Sequence, residues 1–89
     1  MLVEVKFLGS LERAAGRKRA RVKVGGRSAK LKDVLNKLHE AFGLKVVEEA
    51  AGNYAIFVNG VEAGLLGGLE AKVEDGAEII ILPVVHGGS

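Results

Sequence analysis

Hydrophobic and polar positions alternate from the second residue onward. In "LVEVKFL" Val3, Val5 and Phe7 share one parity, and Leu2, Glu4, Lys6 and Leu8 share the other. A period of two with β-branched residues predicts a strand over 2–8, and Glu4 and Lys6 mark its wetter face. Residues 9–18, "GSLERAAGRK", break the pattern with Gly9 and Gly16 and are expected to form a loop or turn. Alternation returns at 19–24, "RARVKV": Ala20, Val22 and Val24 face inward and Arg19, Arg21 and Lys23 outward. The two strands are expected to pair as an antiparallel hairpin with a long connection.

The period then changes. Leu31, Val34, Leu35, Leu38 and Phe42 recur at helical spacing, which predicts one amphipathic helix over 29–42. Ser28 is the expected N-cap, Asp33 suits the positive N-terminal end, and Gly43 is the expected C′ residue. Lys30 and Lys32 sit poorly against that dipole. His39 falls beside the stripe and is read as a solvated helix residue. Residues 44–53 are ambiguous between a loop and a short helix. "YAIFV" is a strand, Asn59-Gly60 is a hairpin turn, and a short strand near 61–66 returns from it. "GGLEAKVEDG" reads as a turn-rich connection with one helical turn. "AEIIILPVV", 77–85, is the last strand, closed by Pro83.

One helix with one apolar stripe covers only one face of a sheet. The other face is therefore expected to be wet, yet it is not wholly polar. With Glu78 on the outer parity, Ile80 and Leu82 point out. Leu8 goes with Glu4 and Lys6, and Phe57 lies opposite Ile56 and Val58. Leu8, Phe57, Ile80 and Leu82 are thus expected to form an exposed apolar patch, of the kind that marks a protein interface.

Composition narrows the chemistry. The 89 residues suit one domain with a modest aliphatic core. There is no cysteine, so disulfides, thiolate nucleophiles and Cys-ligated metals are excluded. The N-terminal stretch lacks the features of a signal peptide, and no apolar run approaches the roughly 18 residues of a membrane span. A cytoplasmic protein with no membrane partner is expected. Net charge is only +2, but residues 13–32 hold nine basic side chains and no acid. Such a stretch can attract nucleic acid or an acidic protein. With no aromatic residues interleaved to stack bases, a solvated strand and loop is the preferred reading, and nucleic acid is disfavoured as a partner.

The final segment, "EDGAEIIILPVVHGGS", raises the sharpest question. A glycine pair beside a terminus adds nothing to a fold and is costly to order. Together with "VEVKFLGSLERAAG", "LKDVLNKLHEAFG" and "FVNG", it resembles the MoaD/ThiS family of ubiquitin-like sulfur carriers over essentially the whole chain. The resemblance implies an α+β, β-grasp domain over 1–85, with a mixed sheet of four to five strands and one main helix on one face. It implies a flexible Gly-Gly tail over 86–89. It also implies a carrier and co-substrate, not an enzyme by itself: the non-catalytic small subunit of a molybdopterin synthase complex. In that family an adenylating enzyme joins the terminal glycine carboxylate to AMP from ATP. A sulfur donor then converts it to a thiocarboxylate, which supplies the dithiolene sulfur of molybdopterin.

By the same resemblance Gly88 carries the activated carboxylate, with Gly87 and His86 in the tail. The resemblance also has Leu8 and Leu82 meet partners, the adenylating enzyme and the large molybdopterin synthase subunit, with Val84 and Val85 extending along the partner's surface. Phe57 and Ile80 join this partner-binding set through strand parity. No metal site is expected. No cofactor is expected to be bound, since ATP belongs to the partner. Ser89 departs from the family, which ends on the second glycine. It is either trimmed, a cloning remnant, or a sign that activation is lost; removal or artefact is favoured because the tail is otherwise intact. Two other functions stay open. One is a protein modifier joined through Gly88 to lysines of protein targets after loss of Ser89. The other is an RNA-binding β-grasp module that uses the basic 13–32 stretch.

Overall fold

A computed structural model describes residues 1–44 and 53–84. β1 (Leu2–Phe7) buries Val3, Val5 and Phe7, as the alternation requires. It pairs antiparallel with β2 (Arg19–Lys23), whose Ala20 and Val22 point the same way. The connection between them is not a plain loop as expected: it holds a six-residue helix, α1 (Ser10–Ala15), closed by Gly16 at φ 75°. α1 forms because Leu11 drops into the core while its other side stays wet.

The main helix, α2 (Leu31–Phe42), buries Leu31, Val34, Leu35 and Leu38, and half-buried Phe42 packs against the same core. Its start corrects the expected one. Ser28 does not cap it; Ser28 belongs to a three-residue strand, β3 (Ser28–Lys30), which pairs antiparallel with β6 (Lys72–Glu74). The Lys30 N–H, at the helix entrance, instead donates to the Asp33 carboxylate at 2.9 Å. The two lysines that sit poorly near the helix dipole are held by one acid. Glu70 meets Lys30 Nζ at 2.6 Å and Lys32 Nζ at 3.1 Å. Gly43 ends the helix at φ 70°, its N–H donating to the His39 carbonyl.

β4 (Tyr54–Val58) and β5 (Val61–Glu62) form the expected hairpin around Asn59-Gly60, both residues at positive φ. β5 is shorter than expected, because residues 63–66 turn into a 3₁₀ helix. A second 3₁₀ turn at Gly68–Glu70 is the helical turn anticipated in the following connection. β7 (Glu78–Pro83) is the last strand and ends on Pro83. It lies between β1, to which it runs parallel, and β4, to which it runs antiparallel. The sheet order is β2-β1-β7-β4-β5. The parallel β1–β7 pair needs a long crossover, and α2 lies within it. The result is the α+β, β-grasp architecture, with a mixed five-stranded sheet.

The core is the space between this sheet and α2. Val3, Val5, Phe7, Ile79 and Ile81 meet Leu31, Val34, Leu35 and Leu38 there, all essentially inaccessible to water. At one end Phe7 and Phe42 meet edge to face with centroids 6.0 Å apart. The Arg17 guanidinium lies 5.1 Å above the Phe42 ring, closing that end with a cation–π contact.

Candidate functional site: the open face of the sheet

The face of the sheet turned away from α2 is laid out by register. One row across the strands reads Arg19, Lys6, Ile80, Phe57, Glu62. The row on the Glu78 side reads Arg21, Glu4, Glu78. On the Leu82 side, Leu82 stands opposite Ala55. Leu8 continues β1 beside it, its N–H donating to the Ile81 carbonyl at 3.0 Å. The parity argument from sequence therefore placed Leu8, Phe57, Ile80 and Leu82 on the same face as the structure does. Leu8 and Leu82 are 41% and 39% exposed, while Ile80 and Phe57 are half-covered by their neighbours. Sequence reasoning missed Ala55, which widens the strip at no steric cost; its parity with Phe57 was the available signal.

Charges frame this strip. Lys6 Nζ bridges to Glu78 Oε2 at 3.1 Å, and Arg19 reaches Glu4 Oε1 at 3.5 Å. Both pairs are exposed, so they position side chains more than they stabilise the fold. The β2 side of the face is cationic, with Arg19, Arg21 and Lys23 pointing outward.

Val84, 41% exposed, lies two residues beyond Leu82, and its N–H donates to the Asn53 carbonyl at 3.0 Å. The chain is thus pinned to the sheet at Val84, at the Leu8–Leu82 end of the apolar strip. Gly9, at φ 58°, turns the backbone here, and a Cβ at this position would touch the Pro83 ring at 3.5 Å. Val85, His86, Gly87, Gly88 and Ser89 lie outside the described residues. Gly88 is four residues past Val84, so its α-carbon lies within a reach of roughly 14 Å. Any surface that covers Leu8 and Leu82 therefore has Gly88 within tether length.

The basic residues of the 13–32 stretch are spread over several elements. Arg13 is on α1 and Arg17 packs on Phe42. Arg19, Arg21 and Lys23 line β2, while Lys30 and Lys32 are paired with Glu70. Among the described residues no cluster of three or more His, Cys, Asp or Glu side chains could hold a metal. No helix there is long and apolar enough to cross a membrane.

The family profile described as the ThiS family matches residues 5–88. Among solved structures, small archaeal modifier protein 1 (SAMP1) from Methanosarcina acetivorans is 34% identical, with a TM-score of 0.78. That match covers 98% of this chain and 96% of the other. SAMP1 from Haloferax volcanii is 26% identical over 99% of this chain and 100% of its own, with a TM-score of 0.79. A putative molybdopterin converting factor subunit 1 from Pyrococcus furiosus, 19% identical, shares the fold with a TM-score of 0.74 over 96% of this chain and 99% of its own. A comparison with curated proteins gives no match.

Proposed function

The chain belongs to the ThiS family of ubiquitin-like carriers and modifiers, and from that premise we propose that it is a sulfur carrier acting through the carboxylate of Gly88. The peptide bond after Gly88 is cut, releasing Ser89. A carboxylate oxygen of Gly88 attacks the α-phosphorus of ATP in a partner adenylating enzyme, and pyrophosphate leaves. Sulfide delivered by a donor attacks the acyl carbon of the adenylate, the acyl–phosphate bond breaks, and AMP departs, leaving a thiocarboxylate. The thiocarboxylate gives up its sulfur in molybdopterin synthesis, in complex with a large synthase subunit. The chain is a co-substrate here: it binds no cofactor, and ATP belongs to the partner.

The observation that carries this reading is the open-face strip of exposed Leu8 and Leu82 with half-covered Ile80 and Phe57, beside the point where the chain continues into "VHGG". An apolar surface at that place lets a partner hold the domain while the tail reaches a pocket. Glycines suit the last steps because a backbone without Cβ atoms threads a narrow channel.

A second reading, attachment through Gly88 to lysines of protein targets, is favoured by the 34% identity to a small archaeal modifier protein. Both readings share activation and part afterwards. Intact-mass measurement on protein from its own cells tests them. A terminus at Gly88 with one oxygen exchanged for sulfur supports the carrier. Lysine-linked conjugates that survive denaturing purification support the modifier. A chain that keeps Ser89 throughout, with neither product, contradicts both.

A further inference from the structure

β2 is an edge strand whose outer side is unpaired among the described residues. Its backbone polarity follows from the register. The Phe7 N–H donates to the Lys18 carbonyl, and the Val24 N–H to the Met1 carbonyl, so the even-numbered residues face β1. In an antiparallel ladder the intervening residues face the other way. The N–H and C=O groups of Arg19, Arg21 and Lys23 therefore point off the edge of the sheet. The opposite edge, β5, is only two residues long and offers no comparable template.

The two sides of this edge differ in chemistry. On the open face stand the side chains of Arg19, Arg21 and Lys23, and among the described residues neither Arg21 nor Lys23 pairs with a carboxylate. On the other side an open groove of about 280 Å³ runs between β2 and α2. Val22, Ala41 and Phe42 give it apolar surface, Lys37 and Glu40 pair with each other at 3.5 Å, and Arg21 and Lys23 line its β2 edge.

We propose that the β2 edge binds an extended peptide as a sixth strand, in which acidic residues alternate with apolar ones. Residues directly opposite one another on paired strands share a face. Acids opposite Arg21 and Lys23 meet the unpaired cations, and the residues between them turn apolar side chains into the groove. The charges on β2 also keep a second copy of this chain from pairing there, since like charges would lie opposite one another. The edge therefore selects a partner of opposite sign. This surface lies two strands from β7, roughly 10 Å across the sheet, and it serves whichever fate Gly88 meets.

The test is a titration of the full chain, followed by amide NMR and hydrogen exchange. The probe is a peptide of roughly seven residues, about one strand long, in which Asp or Glu alternates with Val or Ile. Binding should slow exchange of the Arg19, Arg21 and Lys23 amides, which point off the sheet. Arg21→Gln combined with Lys23→Glu should weaken binding about tenfold, the effect of losing two cross-strand charge pairs. Arg21→Pro removes an outward donor and leaves the β1 ladder intact. It should abolish binding with the melting temperature nearly unchanged, whereas Arg21→Gln alone should only weaken it. Equal binding by the Pro and Gln variants would overturn strand addition. No peptide binding would leave β2 as a charge-guarded edge and overturn the inference. So would shifts at β2 caused by single-stranded RNA and not by the peptide.

Discussion

Asn59 ties two strands together through its own backbone and side chain. Its N–H donates to the Glu78 carbonyl at 2.8 Å, and its Oδ1 accepts the Glu78 N–H at 2.9 Å. It also sits at φ 50°, in the left-handed region that asparagine tolerates better than most residues. Asn59→Ala should lose both the bond and that tolerance, at about 1–2 kcal/mol. Asn59→Gly should lose only the bond, at about half that cost. Urea unfolding measures both, as a lower midpoint with an unchanged slope. An equal loss in the two variants would mean that backbone strain is irrelevant at this turn. Leu82 makes a contrasting case. Leu82→Asp changes an exposed side chain on the open face and should alter stability by no more than about 0.5 kcal/mol. It should nonetheless block activation of the tail, read as loss of ATP-dependent adenylation of a chain ending at Gly88. Full activity in that variant would remove the apolar strip from the docking account.

At the scale of elements, the start of α2 is fixed by a link to the second 3₁₀ turn. Hydrogen bonds from Lys30 first, and then Lys32, hold the Glu70 carboxyl below its ordinary pKa, and the bond to Glu70 raises that of Lys30. A lowered carboxyl stabilises the fold above its unfolded-state pKa, and that contribution fades as pH falls through the folded value. A raised lysine stabilises below its unfolded-state pKa, and its contribution fades as pH rises through the folded value. Both are therefore present at neutral pH. Glu70→Gln should melt lower than the native chain at pH 7, with the gap closing in strong acid and shrinking in high salt. Melting curves across pH check this, and a gap independent of both pH and salt would contradict it. This link also bears on what could be read from sequence. The long alternating strands and the α2 stripe were legible because each repeats its period several times. α1 was not, because six residues between two glycines are too few to show a helical period. β3 and β6 were not, because each has three residues and its partner lies far along the chain. Ser28 looks like a helix cap locally, and only pairing with Glu74 makes it a strand residue. The strip on the open face was legible through parity alone, since no bulge interrupts β1, β4 or β7 in the register.

At the scale of the whole molecule, α2 packs on one face of the sheet and the other face stays open. The apolar strip lies beside the end of β7, and the "HGG" motif follows within a few residues. That juxtaposition is the basis for reading the domain as a handle and the tail as the reacting end. The most direct test incubates two versions of the chain, one ending at Gly88 and one at Ser89, with ATP and the cognate adenylating enzyme. Release of pyrophosphate is measured. The account predicts release with the chain ending at Gly88 and none with the chain ending at Ser89. No release from the chain ending at Gly88, or equal release from both, would contradict it.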